Sequence, residues 1–112
     1  MANVPAAVHT AHPAMLFDLD GTLIDSVYQH VLAWREALEH EGIDLSVWRI
    51  HRRIGMSGGL LTQAVARETG LTLDHAASKR LREAHAAAYR RLLGEVRPLP
   101  GANQLLESLA SW

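Results

Sequence analysis

The sequence Met-Leu-Phe-Asp-Leu-Asp-Gly-Thr-Leu-Ile-Asp-Ser, residues 15–26, decides the fold prediction. A short apolar run ends in two carboxylates, Asp18 and Asp20, and Gly21 follows them. Buried parallel strands are typically continuous apolar runs, and open α/β sheets bind ligands just beyond the carboxyl ends of such strands. Two acids at that point are costly to place unless a cation joins them. The pattern therefore predicts a site for a hard divalent ion with oxygen ligands, such as Mg²⁺.

Residues 18–26 resemble motif I of the haloacid dehalogenase superfamily, D-x-D-G-T-L-x-D-S, and every fixed position of that pattern is present. The resemblance implies an α/β fold with a Rossmann-like core, of which this chain carries only the first strand and its flanking helix. It also resembles the subgroup of phosphoglycolate phosphatases and β-phosphoglucomutases, in which an α-helical cap is inserted directly after motif I. The chain as given is therefore expected to be mostly α.

The sequence after the motif has helical periodicity. Apolar residues recur at helical spacing, namely Val27, Val31, Trp34 and Leu38. Ser26 is the predicted N-cap of their helix, and Gly42 is predicted to end it. Trp34 and Leu38 are predicted core residues. Further helices are predicted over residues 46–54, 60–69, 75–93 and 102–110, with Asp74 as an N-cap and residues 97–101 as a rigid connection.

Together with these patterns, the resemblance implies a domain division. Residues 1–13 are expected to be a flexible tail, residues 14–27 and 96–112 a partial Rossmann-like core, and residues 28–95 the helical cap. Residues 14–18 are the predicted strand, and nothing after residue 27 indicates a second one. One strand cannot pair its own backbone groups. We therefore expect the N-terminal part of a longer enzyme, without motifs II to IV of the superfamily and inactive alone.

The resemblance implies roles for the two aspartates. Asp18 is the expected nucleophile that forms an aspartyl-phosphate, and Asp20 is the general acid and later the general base. Both are expected to hold Mg²⁺, Asp18 through its carboxylate and Asp20 through its backbone carbonyl. The dehalogenase branch lacks the second Asp, so Asp20 favours phosphoryl transfer. The backbone around Leu19, Gly21 and Thr22 is expected to bind phosphate.

The helical insert is expected to supply substrate specificity. Arg52, Arg53 and Gly55 are candidate substrate residues, because an Arg there can hold a second anionic group. The alternative is a solvated basic helix end that interacts with the helix dipole. His30 and His85 lie on predicted helices without persuasive ligand spacing, so we interpret them as structural or surface residues.

The resulting functional prediction is a Mg²⁺-dependent phosphatase that acts on a small phosphorylated metabolite. A phosphomutase of the same superfamily and an inactive fragment or interaction module are the alternatives. A net charge of −1 indicates no nucleic-acid partner, and no apolar run is long enough to span a membrane. The absence of cysteine fits a cytoplasmic protein. The sequence does not predict the oligomeric state.

Overall fold

The computed structural model describes residues 13–112. The predicted tail over residues 1–13 therefore lies almost wholly outside the described residues. Among the described residues, helices dominate and the sheet has two short strands, in agreement with the predicted fold class. The elements in chain order are β1 (Ile24–Asp25), α1 (Val27–His40), α2 (Val47–His51), α3 (Gly58–Thr69), α4 (His75–Leu92), a 3-10 turn (Leu93–Glu95), β2 (Arg97–Pro98) and α5 (Ala102–Ala110).

Helices α1 to α4 form the packed part of the molecule. Helix α4 lies along α1 and also contacts α3, while α2 packs on α1. Trp34 and Leu38 are buried, as predicted. The other members of this core come from all four helices and from the connection after α1, namely Val31, Ala37, Ile43, Leu45, Ile50, Leu61, Val65 and Leu81.

Local sequence signals explain the helix ends. Asp74 caps α4, because its carboxylate accepts a hydrogen bond of 2.7 Å from the backbone N–H of Ala77. Gly42 follows α1 in the left-handed region, at φ 72°, and Gly70 caps α3 at φ 69°. Helix α3 begins earlier than predicted, at Gly58, because the Ser57 hydroxyl accepts a hydrogen bond from the backbone N–H of Leu60.

The predicted strand over residues 14–18 is wrong for this structure. These residues have no regular structure, and 97% of Leu16 is exposed. A strand needs a neighbour for its backbone N–H and C=O groups, and the described part of the chain provides none at this position. The observed sheet is instead the antiparallel pair β1–β2, with Ile24 opposite Pro98 and Asp25 opposite Arg97.

The β1–β2 pair joins the motif to the segment after the helices. The backbone N–H of Leu99 donates to the carbonyl of Leu23 at 2.8 Å, next to the paired residues. Residues 23–25 and 97–99 are therefore held side by side, although the four helices separate them in sequence. Among residues 13–112, no helix has the length and hydrophobicity that a membrane span requires.

Candidate active site

The two motif aspartates border a cavity of about 640 Å³. The loop that carries Asp18 and Asp20 forms one part of the lining, and the segment around Gly55 between α2 and α3 forms another. Helices α1 and α4 close the side. The lining residues are Asp18, Asp20, Gly21, Thr22, Val27, His30, Trp34, His51, Ile54, Gly55, Met56, Gly58, Leu61, Arg82 and His85.

The loop after Asp18 is a tight turn around one carbonyl. The carbonyl of Leu19 accepts hydrogen bonds from the backbone N–H groups of Thr22, Leu23 and Ile24, at 3.1, 2.9 and 3.1 Å. Gly21 has a φ of 75°, and a Cβ there would lie 3.0 Å from the side chain of Val27. Glycine is therefore required both by the left-handed backbone and by the close approach of α1.

The loop already uses two of the amides expected to bind phosphate. The N–H of Gly21 donates to the carbonyl of Ile24 at 2.9 Å, and the N–H of Thr22 donates to Leu19. Either amide must leave its partner, or share it, before it binds a phosphate oxygen. The Thr22 hydroxyl donates to Oδ2 of Asp18 at 3.2 Å, so its side chain orients that carboxylate.

Asp20 is held more firmly than Asp18. Its Oδ1 accepts a hydrogen bond from the hydroxyl of Ser26 at 2.6 Å and lies 2.9 Å from Nε2 of His30. Burial alone raises the pKa of the Asp20 carboxyl, but these two hydrogen bonds and the nearby imidazoles outweigh burial and lower it. Ser26 is the N-cap residue of α1, as predicted, but its side chain makes no capping hydrogen bond to the helix and donates to Asp20 instead.

His30 and His85 extend the Asp20 hydrogen bonds into the helices. Nδ1 of His30 lies 3.1 Å from Nε2 of His85. With both rings neutral, His30 donates from Nε2 to Asp20 and accepts from His85 at Nδ1. The rings are stacked on aromatic neighbours, with centroids 4.0 Å apart for His30 and Tyr89 and 4.2 Å for His85 and Trp34. Burial lowers the pKa of His85 to about 4, so His85 is neutral near pH 7.

Neither His30 nor His85 was predicted from the sequence as a site residue. Position in the sequence is the signal that could have found them. His30 lies on the first turns of α1, just after the motif, and His85 lies on α4, four residues before Tyr89. His30 and His85 are far apart in sequence. Only the packing of α4 along α1 brings them together.

The three candidate substrate residues of the cap have different positions. Gly55 lines the cavity, whereas Arg52 and Arg53 are not among the lining residues. Arg53 pairs with Glu68 of α3, and the guanidinium of Arg52 lies 5.5 Å from the centre of the Trp48 ring. A direct substrate role for Arg53 therefore requires its ion pair with Glu68 to break.

The donor set of the loop fits part of a magnesium site. Asp18 offers a carboxylate and Asp20 a carbonyl, both hard oxygen donors that Mg²⁺ prefers, and Mg²⁺ commonly takes its other ligands from water and substrate phosphate. The described residues contain no group of three or more acids or histidines placed to hold a metal. Asp18 and Asp20 would therefore hold the ion together with groups outside the described set.

The protein family follows from the similarity of this chain to known proteins. The chain belongs to the haloacid dehalogenase-like hydrolase family, whose model matches residues 12–112. It is 31% identical over 106 residues to fructose-1-phosphate phosphatase YqaB of Escherichia coli (strain K12), covering 94% of this chain and 53% of that protein.

A solved structure, a hydrolase from Pseudomonas syringae, is also similar. The TM-score is 0.80 with 56% sequence identity, over 83% of this chain and 42% of that chain. The chain thus spans about half the length of the curated relative that it matches.

Proposed function

We propose that this chain carries the nucleophile loop and helical cap of a Mg²⁺-dependent phosphatase that acts on a small phosphorylated metabolite. The observation that carries the proposal is the arrangement of Asp18 and Asp20. Both carboxylates border one cavity, yet among residues 13–112 only Thr22 donates to the Asp18 carboxylate, whereas Asp20 is fixed by Ser26 and His30. The similarity to a phosphatase supports the same function.

In the proposed reaction, a carboxylate oxygen of Asp18 attacks the phosphorus atom, and the bond from phosphorus to the ester oxygen breaks. The product is an aspartyl-phosphate, which water then hydrolyses. The exposed position of Asp18 leaves this carboxylate accessible from the cavity. Bound Mg²⁺ would neutralise charge between Asp18 and the anionic phosphoryl group. The residues that would hold the ion are Asp18 and Asp20.

Asp20 is the proposed proton carrier. Its pKa is lowered by the hydrogen bonds from Ser26 and His30, so the carboxylate is ionised near pH 7 and can accept the proton of water in the second step. The first step needs the acid form, to protonate the leaving oxygen. A phosphoryl anion entering beside Asp20 raises its pKa, because like charges disfavour the ionised form. His30, at 2.9 Å, is the positioning residue that aims the carboxyl group.

We also propose the domain division of the sequence analysis, with residues 14–27 and 96–112 as partial core and residues 28–95 as cap. The pairing of β1 with β2 supports it, because it joins the two core segments on either side of the helical insert. The packed core of α1 to α4 supports the cap as a unit. We propose turnover for the whole parent protein. There, motifs II to IV would contribute a Ser or Thr, a Lys or Arg, and further acidic groups.

The test is Mg²⁺-dependent release of phosphate from p-nitrophenyl phosphate by the full-length protein and by Asp18→Asn. We expect the variant to lose at least about a thousand-fold in kcat, because the covalent route is removed. Asp44→Asn is the matched control, since Asp44 is exposed and does not line the cavity. Equal turnover by the wild type and Asp18→Asn would contradict the role of Asp18 as nucleophile.

A further inference from the structure

A second groove lies between α3 and α4, apart from the aspartate cavity. It has a volume of about 510 Å³, which falls within the range of small-molecule sites. Of its described lining residues, only Arg82 also borders the aspartate cavity, and neither Asp18 nor Asp20 lines the groove. The lining residues that determine its chemistry are Thr62, Gln63, Arg67, Asp74, Ser78 and Arg82.

The groove carries more positive than negative charge. Arg67 and Arg82 are charged at every physiological pH, and within residues 13–112 neither guanidinium forms an ion pair with a carboxylate. The one carboxylate among the described lining residues is Asp74, which already accepts the backbone N–H of Ala77 at 2.7 Å. The positive end of α4 offsets part of its charge, and His75 adds positive charge only when protonated. The groove therefore attracts an anion.

Two contacts define how α3 and α4 lie against each other. A Cβ on Gly58 would lie 3.0 Å from Cδ of Arg82. The hydroxyls of Thr62 and Ser78 are 2.8 Å apart. Four residues forward along α3 thus correspond to four residues back along α4, so the two helices are antiparallel. Arg67, in the last turn of α3, is therefore level with the start of α4, at the opposite end of the groove from the backbone of Arg82.

This arrangement makes the two arginine side chains converge on the middle of the groove. Side chains on a helix tilt towards the N-terminus of that helix. The tilt directs Arg67 back along α3 towards Gln63, and it directs Arg82 back along α4 towards Ser78. For Arg82 this direction is visible in the hydrogen bond of 3.4 Å from its Nε to the carbonyl of Ser78. The two guanidinium groups can therefore contact the same anion.

The hydroxyl groups at the centre of the groove are already committed to the fold. The hydroxyl of Thr62 donates to the carbonyl of Gly59 at 2.9 Å, so the Ser78 hydroxyl is the donor in the contact with Thr62. Neither hydroxyl has a second hydrogen to offer an anion. The exposed amide of Gln63 is the neutral donor that remains beside the two arginines. Affinity for an anion is therefore expected to depend on Arg67 and Arg82.

We propose that this groove is a second anion site, which binds the phosphoryl group of free phosphate or of a small phosphomonoester between Arg67 and Arg82. A phosphate dianion matches two guanidinium groups in charge and has enough oxygens for a bidentate contact with each, whereas one carboxylate has only two oxygens. The groove is larger than phosphate alone requires, and Ala66 and Leu73 give it an apolar wall that a small organic group can contact. Binding there requires no reaction at Asp18.

The test is calorimetric titration of full-length Asp18→Asn with inorganic phosphate, in metal-free buffer at about 0.15 M salt. In this background we expect Arg67→Gln to weaken phosphate binding by about ten- to a hundred-fold, the range for lost charge-assisted hydrogen bonds, and Arg82→Gln to do the same. Arg67→Lys, which keeps the charge, loses less. The matched control is Arg90→Gln, which removes an exposed arginine of α4 that lines neither the groove nor the aspartate cavity, and it should bind phosphate like the parent.

The same titration with glycerol 3-phosphate distinguishes the two sources of the phosphoryl group. Tighter binding than that of phosphate, lost in Arg67→Gln, identifies a phosphomonoester as the ligand, and equal or weaker binding identifies free phosphate. Thermal unfolding of each variant without ligand checks that its fold is intact. Equal phosphate affinity with and without Arg67, or an equal loss in Arg90→Gln, would overturn the site. Neither outcome bears on the phosphatase proposal, because the measurement involves no turnover.

Discussion

The helical part of the chain, residues 27–92, and its two flanking segments, residues 13–26 and 96–112, differ in how completely they are buried. The helices share a continuous core, in which Leu81 has no exposed surface. In the flanking segments, large apolar side chains such as Leu16, Leu105 and Trp112 are exposed. Both regions are rich in apolar residues, so composition does not explain the difference.

For residues 14–18, hydrogen bonding explains it. A helix satisfies most of its backbone groups internally and needs a neighbour only for its apolar face. A strand needs a neighbour for its backbone as well. The four helices provide faces for one another, whereas residues 14–18 have no strand beside them among the described residues. The site lies at the junction, and Asp20 is fixed by His30 of the helical region.

The largest expected effect tests this contrast directly. Leu81→Ala should lower the free energy of unfolding by about 2–5 kcal/mol, because it removes a fully buried side chain and leaves a cavity. Leu16→Ala, at a residue that is 97% exposed, should change it by less than about 0.5 kcal/mol. Urea denaturation of the purified protein measures both. Similar losses for the two variants would show that the flanking segment is as well packed as the helices.

The second effect concerns pH and the histidine at the junction. The pKa of His85 falls to about 4 in the folded protein from an ordinary 6.5, so the unfolded chain binds the extra proton between these values. The contribution of His85 to the free energy of unfolding is therefore complete above pH 6.5 and is lost progressively as the pH falls towards 4.

Denaturation curves at several pH values, with His85→Gln beside the wild type, measure this contribution. We expect a shallower decline for His85→Gln over that pH range, and a wild-type decline for His75→Gln on the same helix. If the slopes of the wild type and His85→Gln coincide, His85 titrates normally and its burial does not couple folding to pH.

The smallest expected effect is on stability through helix capping, and it is tested at the two residues that precede α4 and α1. Asp74→Ala should lower stability by about 1 kcal/mol, because the capping hydrogen bond to Ala77 is lost. Asp74→Asn, which keeps a capping oxygen, should lose less. Ser26→Ala should instead alter the pH dependence of turnover in the full-length protein, because the Ser26 hydroxyl donates to Asp20 and makes no side-chain capping hydrogen bond to α1. If helix content falls in Ser26→Ala but not in Asp74→Ala, the capping roles of the two side chains are the reverse of those stated.

Local patterns were sufficient for most of the helices. A helix was predicted over residues 75–93, and the observed α4 spans His75–Leu92. The predicted cap at Asp74 was confirmed. The prediction for residues 14–18 failed because an apolar run specifies a strand only where a partner strand is present. Ser26 was confirmed as the N-cap residue of α1, but its hydroxyl donates to Asp20 and makes no capping hydrogen bond, which only the approach of Asp20 decides.

The sequence by itself determined the family, the helices and the candidate nucleophile loop, because these depend on residue types at short spacing. Only the tertiary structure decided the surroundings of that loop. It placed Arg82 beside the cavity, paired Arg53 with Glu68, and linked Asp20 to His85 through His30. These contacts depend on how α4 packs along α1 and on how α2 and α3 approach each other. Helical periodicity predicts which face of a helix is buried, but it does not predict which distant side chain meets that face.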